Sequence, residues 1–352
     1  MLDMFLRGFT MAEIEEEQHQ DFIWTWKSNG RRNKVSVWLP YFSEVSKNNN
    51  AWCVNYNGGS LNLDLNKIDL IMFYGASGNL PLNFLDDVAK HNIVLMIHKR
   101  NVTRPYVFYT SNIGDSLDVL SRQITYRNNE IKKAYIARIL IKERFSKMKE
   151  VYKVPEDLIY RLTKARNVKK IRETEAITTK FYWTEWFKSI EMDESRRSDN
   201  SVSAALDAGS KFVSGVLLRW ILFHKLSPCH GYLHEPTNYP SLVYDLMEPY
   251  RYIIEQVVCQ SVKKCGFSDE KKLVATTLEK LKFLLEVTVY VPATRQYIRR
   301  KNLLHGIVLA LRSYLLGESK CFIIPTEGEK KGGRPPQIAY KLPGSRNVGG
   351  RT

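Results

Sequence analysis

Between residues 33 and 112, apolar and polar positions alternate in short runs. NKVSVWLP, AWCVNYN, SLNLDL, IDLIMFYG and YVFYT are aromatic and β-branched, with turn residues such as Asn57-Gly58-Gly59 between them. That pattern predicts strands. One stretch, NFLDDVAKH, has helical character and precedes another apolar run, NIVLMIH. From about residue 113 the period lengthens to that of a helix. In IKKAYIARILIKERFSKMKEVY, apolar residues at Ile131, Tyr135, Ile139 and Phe145 stand among lysines and arginines. Further helices are predicted over 155–165, 172–190, 201–225, 241–264, 268–289 and 294–316. From Gly317 the chain turns to Gly, Pro, Lys and Arg (EGEKKGGRPPQ), the composition of a flexible basic extension. No internal repeat is visible. The expected architecture is α+β: an N-terminal extension over 1–32, a small β-rich domain over 33–112, a larger all-α domain over 113–316 and a tail over 317–352.

Composition agrees with a folded chain: 352 residues, 44% apolar and 12% aromatic, are enough for two domains with separate cores. A net charge of +16 changes the picture, because it predicts a polyanionic partner. Nucleic acid is the usual one, and an acidic membrane surface is the rival. The apolar runs are too short and too interrupted by charge to span a bilayer. MLDMFLRGFTMAEIEEEQ has no cationic segment followed by an apolar core, so no signal peptide is expected, and Met11 is an alternative start. Five cysteines with no CxxC pair fit a reducing, cytoplasmic setting.

Candidate chemistry concentrates in GYLHEPTNYPSLVYDLMEPYR, residues 231–251. Ser241 suits the N-cap of a helix on which Asp245 and Glu248, three apart, share a face. Pro249 cannot donate to the carbonyl of Asp245, so it should kink or end that turn. Gly231 and Pro236 flank His234 and suggest a turn that brings its imidazole back towards the helix. Imidazole plus carboxylates suits Mg²⁺ or Mn²⁺. Solvent-facing carboxylates beside a packed histidine are the alternative. His224, Cys229, His230 and His234 fall within eleven residues but match no common zinc spacing. Residues 131–150 hold seven Lys or Arg against two acidic residues. With RLTKARNVKKIR at 161–172 they form a basic stripe, Arg138 and Lys142 included, that tracks phosphates or is simply solvated. The aromatics of FYWTEWF at 181–187, Tyr182 among them, stack on unpaired bases or belong to the core.

These residues resemble the CRISPR adaptation integrase family, metal-dependent DNA nucleases and integrases that insert new spacers. HGYLHEPTNYPSLVYDLMEPYR looks like the family's Gly-x-x-His turn followed by a Ser-Leu-x-x-Asp-Leu-Met-Glu-Pro helix, including Pro228 upstream and Arg251 after it. TEAITTKFYW at 174–183 resembles its Glu-Gly-x-x-Ala-x-x-Tyr-Phe helix, with Glu175 at the acidic position and Tyr182 seven residues on. IDLIMFYGASGNLPLNFLDDVAKHNIVLMIH at 68–98 is similar to its N-terminal β domain. Ala176 and Thr179 depart from that pattern by small changes. In SAALDAGS, Ser203 and Ser210 stand where Asn and Tyr are common, so those positions carry no assigned role. The resemblance implies Glu175, His234 and Glu248 as ligands of Mg²⁺ or Mn²⁺, with Asp245 a supporting acid. It implies transesterification: a DNA 3′-hydroxyl attacks a phosphodiester at the edge of a repeat. It also implies a homodimer through the β domain and a small companion subunit bridging two dimers, in a prokaryotic cytoplasm and with no membrane. DNA contacts are expected at Arg138, Lys142, Tyr182 and Arg251. A homologous mobile-element transposase and a non-catalytic DNA-binding scaffold of the same fold are the rivals.

Overall fold

A computed structural model describes residues 35–48, 51–56, 59–99, 105–109, 118–193, 195–196, 198–330 and 338–344. The expected extension over 1–32 and the Asn57-Gly58 part of the first turn lie outside them. The described chain forms two compact units that divide near residue 110.

The first unit holds two sheets. Strands β1 (Val35–Pro40), β5 (Ile68–Tyr74), β6 (Val94–His98) and β7 (Tyr106–Phe108) lie in the order β1-β5-β6-β7. The first three are parallel, and β7 closes the edge antiparallel. β5 is apolar at nearly every position, Asp69 excepted, because it is central and covered on both faces. Helix α1 (Leu82–Lys90) makes the crossover from β5 to β6 and buries Phe84 and Val88. Strands β2 (Glu44–Asn48), β3 (Ala51–Tyr56) and β4 (Gly59–Leu63) form an antiparallel meander. β2 escapes sequence reading because only Val45 of EVSKN is buried, as suits an edge strand. Trp52 joins the meander to α1: its Nε1 donates to Asp87 Oδ2 at 3.0 Å and its ring meets Phe84 edge-on. Gly78 is required at φ 138°, since a Cβ there would stand 2.0 Å from the Ser43 carbonyl oxygen.

The second unit is mainly helical: α2 (Val119–Asn128), α3 (Glu130–Met148), α4 (Glu156–Lys164), α5 (Val168–Ser189), α6 (Ser201–Phe223), α7 (Ser241–Met247), α8 (Arg251–Cys265), α9 (Glu270–Glu286) and α10 (Asn302–Leu315). Side chains of Asp118, Asn129, Asn167, Asn200 and Asp269 cap five of them. α6 lies at the centre, packed by α7, α8, α9 and α10. Its Gly209 leaves room for Ile254 of α8.

Four expectations need correction. The unit is not all-α: β8 (Thr288–Val291) and β9 (Gln296–Arg299) form a hairpin where a helix from 294 was expected. The β-branched and aromatic residues of TVYV and QYIR outweigh helical period there. On α3 the buried face is Ala137, Leu140, Ile141, Phe145 and Met148, whereas Ile131 is 79% exposed. Ser241 is not an N-cap but the first residue of α7, its Oγ turned back to accept from Gly231 N at 2.9 Å. Finally, the described tail is no loose extension. Phe322, Ile324, Tyr340 and Leu342 are buried on the helical unit. Glu327 accepts from Tyr252 Oη at 2.7 Å and Arg300 Nε at 2.8 Å, and the Pro325 carbonyl accepts from Tyr250 Oη at 2.7 Å. All five cysteines are unbridged, and among the described residues no helix is long and apolar enough to cross a membrane.

Candidate active site

Asp245 organises the site. It is fully buried on α7, where an unpaired carboxylate would be costly, and its oxygens are saturated by the turn before the helix. Oδ2 accepts from Tyr232 N at 2.5 Å and Leu233 N at 2.9 Å. Oδ1 accepts from His234 N at 3.0 Å and His234 Nδ1 at 2.7 Å. Gly231 permits this closeness, because a Cβ there would stand 2.7 Å from Asp245 Oδ2. The same loop is held from outside. Gln123 Nε2 donates to the carbonyls of Ser227 and His230, Arg127 to those of Gly231 and Glu235, and Lys133 pairs with the Glu235 carboxylate.

Asp245 therefore fixes His234 as the Nδ1–H tautomer and leaves Nε2 as the nitrogen that can take a ligand. The ring lies in the electrostatic reach of Glu175 on α5 and of Glu248, three residues past Asp245. Pro249 supplies no N–H to the Asp245 carbonyl. The Glu248 N–H takes that acceptor instead, and Glu248–Tyr250 form one 3₁₀ turn between α7 and α8. The turn sends the Glu248 side chain inward, where it is 2% exposed.

There it meets Arg144 of α3, which is itself buried. Arg144 Nη1 donates to Glu248 Oε2 and, at 3.2 Å, to Glu175 Oε1, so one guanidinium joins both carboxylates. Arg251 Nε takes the other Glu248 oxygen at 2.8 Å. Burial alone would raise the Glu248 pKa. Arg144, Arg251 and His234 overcome it and hold the carboxyl at about 2. Glu175 shifts the other way: burial and the Glu248 charge raise it, and its share of Arg144 does not compensate. His234 is raised too, since its bond to Asp245 and the nearby carboxylates outweigh burial, which lowers it.

Of the sequence-predicted residues, Glu175, His234, Asp245 and Glu248 come together. Tyr182 must be corrected. It is 2% exposed and its hydroxyl donates to buried Glu255 Oε2 at 2.6 Å, so its ring cannot stack on a base. Arg138 is half-buried and donates to the Ala165 carbonyl at 2.9 Å. Lys142 is exposed, and Arg251 serves Glu248. The zinc grouping does not form: His224 faces His305, His230 bonds Ser227, and His234 bonds Asp245. Ser203 and Ser210 bond backbone carbonyls within the helical unit. Sequence reading missed Arg144 and Glu255. The signal for Arg144 was its register, four residues from both Leu140 and Met148 on the apolar stripe.

Among the described residues, no three His, Cys, Asp or Glu stand in a metal-holding arrangement. The donor set nevertheless fits a hard divalent cation, with two carboxylates and an imidazole whose second nitrogen is tied to a buried acid. The Arg144 guanidinium takes the carboxylate oxygens such a cation would use.

This arrangement sits in a fold shared with other proteins of known structure. A casposase bound to integration product superposes with a TM-score of 0.67 at 20% identity, covering 81% of this chain and 92% of that one. A CAS1 protein from Thermotoga maritima, TM1797, gives 0.65 at 18% identity, covering 80% and 97%. The TtCas1–DNA complex gives 0.57 at 14% identity, covering 89% and 99%. No curated protein matches the sequence. The profile of the family "CRISPR associated protein Cas1" matches residues 41–278, and the chain belongs to that family.

Proposed function

We propose that the chain is a divalent-metal-dependent DNA integrase that inserts short DNA fragments into a CRISPR repeat array. The observation that carries the reading is the buried Asp245 clamp, which brings His234 beside Glu175 and Glu248. Glu175, Glu248 and His234 Nε2 would hold Mg²⁺ or Mn²⁺. When bound, that ion supplies Lewis acidity to the attacked phosphate and lowers the pKa of the attacking hydroxyl. Asp245 holds the imidazole in one tautomer. Arg251 keeps Glu248 ionised and oriented. The 3′-oxygen of the fragment forms the new P–O bond, the old P–O bond breaks, and the departing 3′-oxygen takes a proton. No side chain has to act as nucleophile, and water in place of the 3′-hydroxyl gives nicking from the same site.

Insertion at both ends of a repeat needs two such sites, which supports a homodimer through the β-rich unit and a small companion subunit bridging two dimers. Another structure of the same fold, a Cas6-RT-Cas1–Cas2 complex, holds a further Cas protein, Cas2, and supports a companion; it superposes with a TM-score of 0.68 at 13% identity, covering 86% of this chain and 37% of that one. The setting is the prokaryotic cytoplasm. The likeness to a casposase supports the mobile-element transposase as second reading, with the same site and chemistry.

Purified protein, a duplex with free 3′-hydroxyls and a plasmid carrying a repeat array test this. We expect joined product with Mn²⁺ or Mg²⁺, and none with EDTA or with Glu248→Ala. Joining that survives EDTA would overturn the metal reading. Tight DNA binding with neither joining nor nicking, even with the companion subunit, would leave a scaffold.

A further inference from the structure

The Arg144 guanidinium is the only group in contact with both Glu175 and Glu248 among the described residues, and it is not fully satisfied there. Its Nε is buried with no hydrogen-bond partner, which is unusual for a charged group removed from water. A third carboxylate lies in its electrostatic reach. Glu255, on α8, is buried, and its Oε2 accepts from Tyr182 Oη at 2.6 Å. Arg144, Glu248, Arg251 and Glu255 line one small cavity, of about 10 Å³. The guanidinium thus shares one space with both Glu248 and Glu255, whose walls also include Met148 and Pro249.

Resting on the metal-dependent reading above, we propose that Arg144 is a two-station positioning residue. It bridges Glu175 and Glu248 as the site's own counter-cation in the metal-free protein, and moves to Glu255 when a divalent cation is taken up. Buried Glu248 and half-buried Glu175 would repel each other without a cation, and the bridge keeps them in place meanwhile. On metal uptake the buried positive charge needs a new partner. Glu255 provides it, with Tyr182 holding that carboxylate in position. Arg251 is no substitute, because it touches Glu248 but not Glu175.

Calorimetric titration of the full chain with Mn²⁺, without DNA, tests the two stations. Arg144→Met should bind Mn²⁺ more tightly than wild type by about 5- to 150-fold, the usual range of coupling between sites. Its thermal midpoint in EDTA should fall, and Mn²⁺ should restore it. Glu255→Gln touches no proposed ligand, yet should weaken Mn²⁺ binding by a comparable factor. The decisive measurement is the double variant. If Arg144 moves to Glu255, Glu255→Gln has no effect once Arg144 is gone. If only summed charge matters, the two effects add, and the two-station proposal is overturned while the integrase reading stands. Arg144→Gln, which likewise removes the charge, replaces Met in the same cycle if Met fails to fold. Wild type that binds no Mn²⁺ overturns both this inference and the metal reading, whereas additive effects with Mn²⁺ bound overturn this inference alone.

Discussion

Asp245→Asn isolates the clamp on which the site depends. The change is nearly isosteric, so packing is kept while the acceptors are halved. Asp245 now receives four hydrogen bonds, two on each oxygen, three of them from backbone N–H groups. An amide keeps one oxygen and can serve one pair. Its NH₂ then faces the other pair, donor against donor. At about 1.5–3 kcal/mol for each bond to a charged acceptor, losing two costs about 3–6 kcal/mol. That corresponds to a fall of roughly 6 °C or more in the thermal midpoint. The assay is chemical and thermal denaturation in EDTA, so that loss of a bound metal cannot contribute. NMR titration gives a second readout. Burial lowers the pKa of His234, and the bond to Asp245 is the first of the influences that raise it. The variant's imidazole should therefore lose its proton at lower pH than in wild type. A loss under about 1 kcal/mol with an unmoved His234 titration would refute the clamp.

Gly231→Ala should act on the same contact from the other side, costing about 1–3 kcal/mol, because its Cβ meets Asp245 Oδ2 at 2.7 Å and the His234 carbonyl at 2.8 Å; a denaturation midpoint equal to wild type would sink this. Glu248, held at about 2, contributes stability that is present above the ordinary glutamate pKa and lost as pH falls towards 2. The full shift is worth about 3 kcal/mol, with Glu175, shifted upward, contributing in the opposite sense. Urea midpoints between pH 6 and 3 should fall more steeply for wild type than for Glu248→Gln, and parallel slopes would count against the assignment. Tyr182→Phe should lower stability by about 1–3 kcal/mol through the unpaired Glu255 and leave single-stranded DNA affinity unchanged. A large loss of affinity at constant stability would restore a base-stacking role.

The site was legible in sequence where its contacts are local. The Gly231–His234 turn, the Asp245–Glu248 spacing and the Pro249 break lie within one short segment, and the chemistry of each residue type announces its place. Arg144 was hidden because its partners stand 31 and 104 residues away. A lysine-rich helix reads as surface until one arginine is found on its apolar face. Tyr182 was ambiguous for a related reason: an aromatic cluster looks the same from sequence whether its hydroxyl meets water or a buried carboxylate. In the β-rich unit, the buried strands announced themselves and the polar edge strand β2 did not. The hairpin at 288–299 lost to helical period, and the tail lost to its glycines and lysines. In both cases burial depends on a surface built elsewhere in the chain.

The docking of the tail sets an order of events during synthesis. Tyr250 ends the turn that aims Glu248 and Tyr252 follows it on α8, and each finds its partner 75 residues later, in Pro325 and Glu327. At about 5–20 residues per second, a ribosome needs some 4–15 s to cover that stretch. Throughout that interval a nascent chain carries every acid and histidine of the cluster but lacks the brace behind the turn. The acid cluster thus matures last, after the helices around it have been made.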